Sequence, residues 1–390
     1  MTVLPASLPV SFNAFFRSEK SGAIILLLCT VVSLTLANSG AGGAWRDFWL
    51  TPVAGLTLVE WINDALMAVF FLFVGLELER ELYSGELADF RNALLPIVAA
   101  VGGILVPALV HLGLNVGTPT QAGAGIPMAT DIAFALGALA LLGSRVPASL
   151  KIFLTALAVM DDLGAIIVIA VFYSSHFSPA WLMAALAVFA LLLVLNRMLR
   201  IMSLLPYLIG GALMWFLMLK SGVHATIAGV LLAFAIPFSH TAEDQTSPSH
   251  RLEHWLHGPT AFLILPLFAL ANTGVVIGVG WQAALGASKS LGIIGGLVVG
   301  KPLGIVAACA LAVSVGICRL PDDLRWSHVT GAGMLGGIGF TMSIFITNLG
   351  FGTDAALVDA SKIAVLLASA AAGILGLTWL RFATRPAATA

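Results

Sequence analysis

Apolar residues in this chain run in long stretches separated by short polar connections. A hydrocarbon core about 30 Å thick is crossed by roughly 17 to 25 apolar residues in a helix, and that length applied along the chain predicts twelve spans. The predicted fold class is an all-α polytopic membrane protein with twelve transmembrane helices. Their predicted bounds are 21–38, 60–82, 93–115, 122–142, 148–173, 180–199, 204–219, 223–237, 256–277, 290–316, 327–349 and 357–381.

The amino-acid composition supports a membrane protein and excludes some kinds of partner and site. Charged residues are 9% of the chain and apolar residues 59%, with a mean hydropathy of +1.03, whereas soluble domains carry about 25% charged residues. The net charge of −1 gives no overall field for nucleic acid, so no nucleic-acid partner is expected. Cys29, Cys309 and Cys318 lack the CxxC spacing of a thiolate metal site and are interpreted as packing residues.

Three segments outside the spans have predicted roles within a single membrane domain, 1–390. Residues 9–20 are interpreted as an amphipathic helix at the membrane interface. Residues 44–58 contain Trp45, Phe48, Trp49 and Leu56, and we expect a strand pair there that serves self-association. Residues 239–257 form the only long hydrophilic connection, which we expect to be a loop.

The distribution of basic residues predicts the orientation. With the N-terminus inside, thirteen of the 18 Lys and Arg residues lie in inner segments and four in outer segments, and Lys301 lies within an apolar run. An excess of positive charge marks the cytoplasmic side. Both termini and the 239–257 loop are therefore predicted to be cytoplasmic.

Spans 4 and 11 are predicted to be interrupted. Span 4 contains Pro127 among glycines, and span 11 has five glycines within 331–339. A break leaves backbone N–H and C=O groups without hydrogen bonds, and each such group costs several kcal/mol in lipid. Both breaks must therefore be buried. Each break lies in the middle span of a group of three, at 93–173 and 290–381. These groups enter the membrane from opposite sides, which predicts inverted-topology repeats and a binding site at the breaks.

Two adjacent acids lie near the middle of span 5. Asp161 and Asp162 would each cost roughly 2.5 to 3.5 kcal/mol at the centre of a membrane helix. Capping of a broken helix, or a bond to a neighbouring group, is the alternative to a functional role. It explains one acid better than two in succession, so we interpret the pair as an ion or proton site.

Two further ionisable residues lie deep in apolar sequence, Asp131 in span 4 and Lys301 in span 10. A lysine in lipid requires a counter-ion, and Lys301 is predicted to pair with one of the aspartates. Asp131 follows Thr130, a sequence that suits the start of a half-helix. There it would offset the positive helix ends while Lys301 offsets the negative ends. A structural role and direct contact with an ion both remain open for Asp131.

A charged cluster is predicted at the cytoplasmic ends of spans 2 and 9. At helical spacing Glu77, Arg80 and Glu81 share one face of span 2, and Glu253 and His257 share one face of span 9. Histidine beside acids titrates near neutral pH, which suits a pH sensor, although a solvated helix end explains the same pattern. The cluster consists of Glu77, Arg80, Glu81, Glu253, His254 and His257, with Glu79 as a further acid.

Two phosphate-binding patterns are rejected. Residues 295–301 read GxxxxGK, but Pro302 replaces the Ser or Thr that would hold magnesium. Residues 331–336 read GxGxxG without a preceding strand. Both lie in predicted spans, where the strand–loop–helix context that these motifs need is absent.

Six stretches of the sequence match a known family: 61–71 (WINDALMAVFF), 129–137 (ATDIAFALG), 161–165 (DDLGA), 220–229 (KSGVHATIAG), 300–304 (GKPLG) and 336–345 (GGIGFTMSIF). Through them the sequence resembles the NhaA family of bacterial sodium/proton antiporters over nearly its whole length. This family is itself a known example of inverted repeats with broken helices, so the repeat assignment is not independent of the resemblance.

The resemblance implies electrogenic exchange of one Na⁺ or Li⁺ inside for two H⁺ outside, in a bacterial inner membrane and with no cofactor. It implies a homodimer joined through 44–58. Asp162 is then the principal ion ligand, with Asp161 and Thr130 beside it, and Asp161 pairs with Lys301. Asp131 and Lys301 balance the broken-helix dipoles, and the cytoplasmic cluster senses pH.

Two other functions are weighed against this one. An intramembrane aspartyl protease also uses paired acids, but it places them on two helices, and no GxGD motif is present. Here the adjacent side chains diverge by about 100° on one helix. A sodium-coupled symporter or channel on the same scaffold is the second alternative, and Lys301 beside the aspartates favours proton competition over it.

Overall fold

The computed structural model describes residues 10–85, 87–174, 177–239, 246–278, 280–352 and 354–384, and these are almost entirely helical. The first elements are α1 (Val10–Ala37), α2 (Gly42–Trp49), β1 (Pro52–Val53), β2 (Leu56–Thr57), α3 (Leu58–Tyr83), α4 (Phe90–Asn115), α5 (Pro119–Met128), α6 (Ile132–Leu141), α7 (Ala148–Phe172) and α8 (Pro179–Arg197). The remaining elements are α9 (Leu205–Ser221), α10 (Ile227–Ala235), α11 (Pro248–Asn272), α12 (Trp281–Leu285), α13 (Ser288–Ser314), α14 (Trp326–Gly336), α15 (Phe340–Phe351) and α16 (Ala355–Ala383).

Eight helices in the described part of the chain are long and apolar enough to cross a membrane, and the count rises to 10 if each of two bent pairs forms one span. The protein is therefore an all-α polytopic membrane protein. Every predicted span overlaps a helix, but α9 and α10 are short. At 1.5 Å per residue their 17 and nine residues reach only about 26 and 14 Å, less than a bilayer core.

The two bent pairs are α5 with α6 and α14 with α15, at 42° and 46°. α5 is a 3₁₀ helix, as expected where Pro127 and glycines disfavour a regular α-helix. The stretches that join the pairs touch, because the backbone N–H of Asp131 donates to the Ile338 carbonyl at 2.6 Å. Both stretches are buried.

The chain divides into two compact units. One unit contains residues 1–28, 90–164 and 277–390, and both bent pairs lie in it. Its residues before Val10 lie outside the described residues. Its helices α4 and α13 cross closely at two glycines. A Cβ on Gly102 would lie 2.2 Å from the Gly304 carbonyl oxygen, and a Cβ on Gly304 would lie 2.2 Å from the Gly102 carbonyl oxygen. Any larger residue at this crossing would force the helices apart.

The other unit contains residues 29–89 and 165–276. Its core is built from apolar side chains of α3, α8, α9, α10 and α11, among which Leu76, Tyr207, Met214 and Ala233 are fully buried. α3 packs on α10 through small residues, since a Cβ on Gly229 would lie 2.0 Å from the Ala68 carbonyl oxygen. This packing positions the end of α3 that carries the charged cluster.

Three predicted segments differ from the structure. Residues 10–20 continue into α1 without a break, so no separate helix precedes the first span, and Pro9 lies outside the described residues. The strand pair is limited to Pro52–Val53 and Leu56–Thr57. Trp45, Phe48 and Trp49 lie instead on α2, because their i, i+3, i+4 spacing is helical.

The predicted loop 239–257 is also shorter than expected. α11 begins at Pro248, with Ser247 as its N-cap, and the Ser247 hydroxyl accepts the His250 N–H. Serine followed by proline is a strong helix-start signal that the hydrophobic pattern did not weigh. Residues 240–245 lie outside the described residues.

Candidate functional site

A buried carboxylate lies on α7 within the first unit. Helix α7 carries Asp161 and Asp162, which are 0% and 2% exposed. Asp161 Oδ2 accepts the Thr130 hydroxyl at 2.6 Å and lies 2.5 Å from Lys301 Nζ. Asp161 Oδ1 is buried and accepts no hydrogen bond from any residue that the structure describes. A buried carboxylate whose second oxygen has no partner among the described residues is suited to receive a cation or a proton.

Helix C-termini supply carbonyl oxygens to the same place. The ammonium of Lys301 donates to the carbonyl of Met128, the last residue of α5. The Thr130 hydroxyl lies 2.8 Å from the carbonyl oxygen of Gly336, the last residue of α14. The final carbonyls of a helix lack partners within it and carry partial negative charge, which a lysine offsets.

Helix N-termini meet the carboxylate of Asp131. Asp131 caps α6, and its Oδ1 accepts the backbone N–H of Phe134 at 3.1 Å. Its Oδ2 accepts the backbone N–H of Thr341 at 3.1 Å and also the Thr341 hydroxyl, in the first turn of α15. One buried negative charge therefore lies at two positive helix ends.

A close backbone approach holds α14 and α13 together beside this centre. A Cβ on Gly337 would lie 2.3 Å from the Leu297 carbonyl oxygen. Leu297 lies one helical turn before Lys301 on α13. The glycine at 337 thus lets the connection between α14 and α15 approach the turn that carries the lysine.

The second unit holds a charged cluster at the end of α3. Arg80 Nη1 lies 2.6 Å from Glu253 Oε1 of α11, and Arg80 Nη2 lies 3.0 Å from Glu81 and 3.9 Å from Glu77. A second contact joins α3 to α11, because the Ser249 hydroxyl donates to Glu79 Oε2 at 3.1 Å. Glu77 and Glu253, which pair with the Arg80 guanidinium, are buried, and Glu79 is buried as well.

The two predicted histidines are placed differently within this cluster. His254 is exposed on α11. The His257 ring is half-buried and packs edge-on against Phe73, with ring centroids 5.9 Å apart. The structure thus joins Glu77, Arg80, Glu81 and Glu253 by ion pairs, whereas His254 follows Glu253 directly and His257 lies one turn further along α11.

Sequence reasoning did not identify four groups at these sites. The carbonyls of Met128 and Gly336 carry no sequence signal, because every residue has one. Thr341 lies within a stretch that the resemblance covers, and a hydroxyl one residue inside a predicted half-helix was an available signal. Ser249 lay in a predicted loop, so its contact with Glu79 was not foreseen.

Bent apolar helices around a buried carboxylate and ammonium define an ion-coupled membrane transporter. A family model described as Na⁺/H⁺ antiporter 1 matches residues 13–380. A Na⁺/H⁺ antiporter NhaA of Dechloromonas aromatica is 72% identical over 372 residues, 95% of this chain and 96% of that protein. NhaA 1 of Flavobacterium johnsoniae is 57% identical over 95% and 97%, and NhaA of Escherichia coli O1:K1 is 49% identical over 96% and 98%.

Both comparisons cover almost the full length of the chain. The chain belongs to the NhaA family of Na⁺/H⁺ antiporters. Its membership confirms the resemblance predicted from the motifs.

Proposed function

We propose that this protein exports one Na⁺ or Li⁺ from the cytoplasm in exchange for two H⁺, and so maintains sodium and pH balance in a bacterial inner membrane. The observation that carries the proposal is the buried pair of Asp161 and Lys301 beside Asp162. The relatives are named Na⁺/H⁺ antiporters, which supports the choice of Na⁺ and H⁺ as substrates.

In the proposed cycle, Asp162 is the principal Na⁺ ligand and Asp161 and Thr130 contribute oxygens. Hard cations prefer carboxylate, hydroxyl and carbonyl oxygens. A Thr130 hydroxyl that turns its hydrogen toward Gly336 leaves its lone pairs for the cation. Protons compete for the same carboxylates, and Lys301 competes for Asp161, so Na⁺ and H⁺ occupy the site alternately.

The proposed membrane arrangement has twelve spans with both termini in the cytoplasm. The bent pairs serve as the interrupted spans 4 and 11 of inverted repeats 93–173 and 290–381. The meeting of helix N-termini at Asp131 and of C-termini near Lys301 supports this arrangement. Reporter fusions at the connections test it, and an external signal from the 315–325 connection would contradict it.

A homodimer through residues 44–58 is also proposed. The hairpin strand Pro52–Val53 is exposed, and an exposed strand edge pairs readily with a second copy. Native mass spectrometry of the solubilised protein tests the proposal. A monomer that persists across detergents would contradict it.

We further propose that the charged cluster regulates transport by pH. Glu77 and Glu253 lie beside the same arginine, and these two carboxylates do not lose their protons independently, because the charge of one opposes the charge of the other. Titration then changes the ion pairs that join α3 to α11. Such a change biases a two-state rearrangement and gives a steep response.

Neutralising this cluster is expected to flatten the pH profile of exchange. The variant is Glu77→Gln, Glu253→Gln, His254→Gln and His257→Gln together, and Asp322→Asn, at an exposed acid, is its control. The slope of activity against pH in everted vesicles should fall by about half or more, because fewer coupled groups titrate. A profile that superimposes on the wild type would place pH sensing elsewhere.

An imposed membrane potential is expected to drive Na⁺ efflux. Two H⁺ entering for one Na⁺ leaving carry one net charge inward, worth about 2.3 kcal/mol per 100 mV. This corresponds to an approximately 50-fold Na⁺ gradient at equilibrium. Proteoliposomes with internal potassium and valinomycin become negative inside, and Na⁺ efflux should accelerate. Efflux that ignores the potential would mean one-for-one exchange.

A further inference from the structure

A buried histidine lies on α4, in the same unit as the ion site but outside it. His111 is fully buried, and its Nε2 lies 3.0 Å from the carbonyl oxygen of Thr120 in the first turn of α5. A carbonyl only accepts hydrogen bonds, so the proton of a neutral ring is on Nε2. Nδ1 has no hydrogen-bond partner among the described residues.

Asn115 extends the contact one turn further along α4. Its amide nitrogen donates to the carbonyl of Ser288, the first residue of α13, at 3.1 Å. Its amide oxygen accepts the Thr120 hydroxyl at 2.7 Å. His111 and Asn115 share a helix face at i, i+4 spacing. Together they tie the starting turns of α5 and α13 to α4.

Glycines on both neighbours bring their backbones against the ring. A Cβ on Gly292 of α13 would lie 2.7 Å from His111 Nδ1, and a Cβ on Gly123 of α5 would lie 3.0 Å from Nε2. The ring therefore lies between two helices without room for a larger residue on either. Its position fixes the distance between α5 and α13.

Both helices also carry groups of the ion site, α5 at its last residue and α13 near its middle. α5 ends at Met128, whose carbonyl accepts from Lys301 of α13. A 3₁₀ helix rises about 2.0 Å per residue, so Thr120 and Met128 are about 16 Å apart along one continuous helix. A small rotation at Thr120 therefore displaces the Met128 carbonyl and Thr130, and an error of about 1 Å can cost 100-fold in a positioned site.

We propose that His111 is a positioning residue for Na⁺ binding, which acts through its Nε2 hydrogen bond to Thr120 and, with Asn115, sets α5 relative to α13. The proposal rests on the proposed antiport function. It concerns the affinity for Na⁺ and leaves the charge-carrying groups unchanged.

The test compares two substitutions at one position. His111→Gln keeps an amide nitrogen near the place of Nε2, whereas His111→Asn places it near Nδ1. His111→Asn and His111→Phe should raise the apparent KM for Na⁺ about fivefold, as expected for one net hydrogen bond, with kcat within twofold of wild type. His111→Gln should restore KM to within twofold. The measurement is Na⁺-dependent dequenching of a pH dye in everted vesicles.

Thr347→Val is the matched control. Thr347 is fully buried in the same unit, but among the described residues its hydroxyl bonds only within α15, to the Ser343 carbonyl at 2.7 Å. It should lower thermal stability without changing KM. If His111→Phe fails to insert, the comparison of KM between His111→Asn and His111→Gln still tests the proposal. Equal KM values for those two, or a KM in all His111 variants equal to wild type, would overturn the proposal while wild-type exchange still supports antiport.

Discussion

Asp162→Asn is expected to abolish Na⁺/H⁺ exchange. The substitution removes one of two adjacent negative charges from a site that is almost fully buried. Removing one partner of a buried charge interaction costs about 3 kcal/mol or more, which is at least about 100-fold in ion affinity. Asparagine also takes up no proton, so the cycle loses a proton carrier together with its ion ligand.

Everted vesicles with a pH-sensitive dye measure this effect directly. The variant should insert at wild-type levels, because asparagine has almost the same volume as aspartate and its neutral amide is less costly to bury. Asp322→Asn, an exposed acid between α13 and α14, is the control and should exchange normally. Normal Na⁺-dependent dequenching in Asp162→Asn would remove Asp162 from the site.

Much of the fold follows from the length and periodicity of the apolar runs. Every predicted span overlaps a helix, because lipid leaves a chain with few ways to satisfy its backbone. The pattern missed features that depend on local chemistry. It placed Trp45 and Phe48 on strands although their spacing is helical, and it extended a loop through Ser247 and Pro248 although these residues start a helix.

The site was predictable in its charges and less so in its geometry. The cost of burying Asp131, Asp161, Asp162 and Lys301 identified them without a structure. The residues alone did not decide which aspartate faces Lys301, because adjacent side chains on a helix point in different directions. The carbonyls that complete the site belong to helix ends, and helix ends depend on tertiary contacts such as that of Gly337 with Leu297.

The buried charged residues differ in which helix ends they contact. Asp131 accepts N–H groups from the starts of α6 and α15, so its charge is held by the fold. Lys301 meets the end of α5 and also Asp161, so its charge is shared between the fold and the site. We therefore expect a change at Lys301 to affect both stability and transport.

Lys301→Ala is expected to lower the thermal stability of the solubilised protein by about 5 °C or more. The substitution leaves Asp161 without its cation in a fully buried position, and breaking such a pair costs about 3 to 5 kcal/mol. The loss should be smaller in acid, because a protonated Asp161 no longer needs a counter-ion. The melting temperature in detergent, measured across pH, tests both statements.

A second substitution separates the ion pair from simple packing. Asp161→Asn in the Lys301→Ala background removes the unpaired charge, so the double variant should melt at a higher temperature than Lys301→Ala alone and lose its pH dependence. If stability fell only because the lysine stem fills space, the double variant would be no more stable than the single one. A melting temperature of Lys301→Ala equal to wild type at every pH would show that Lys301 and Asp161 do not form a stabilising pair.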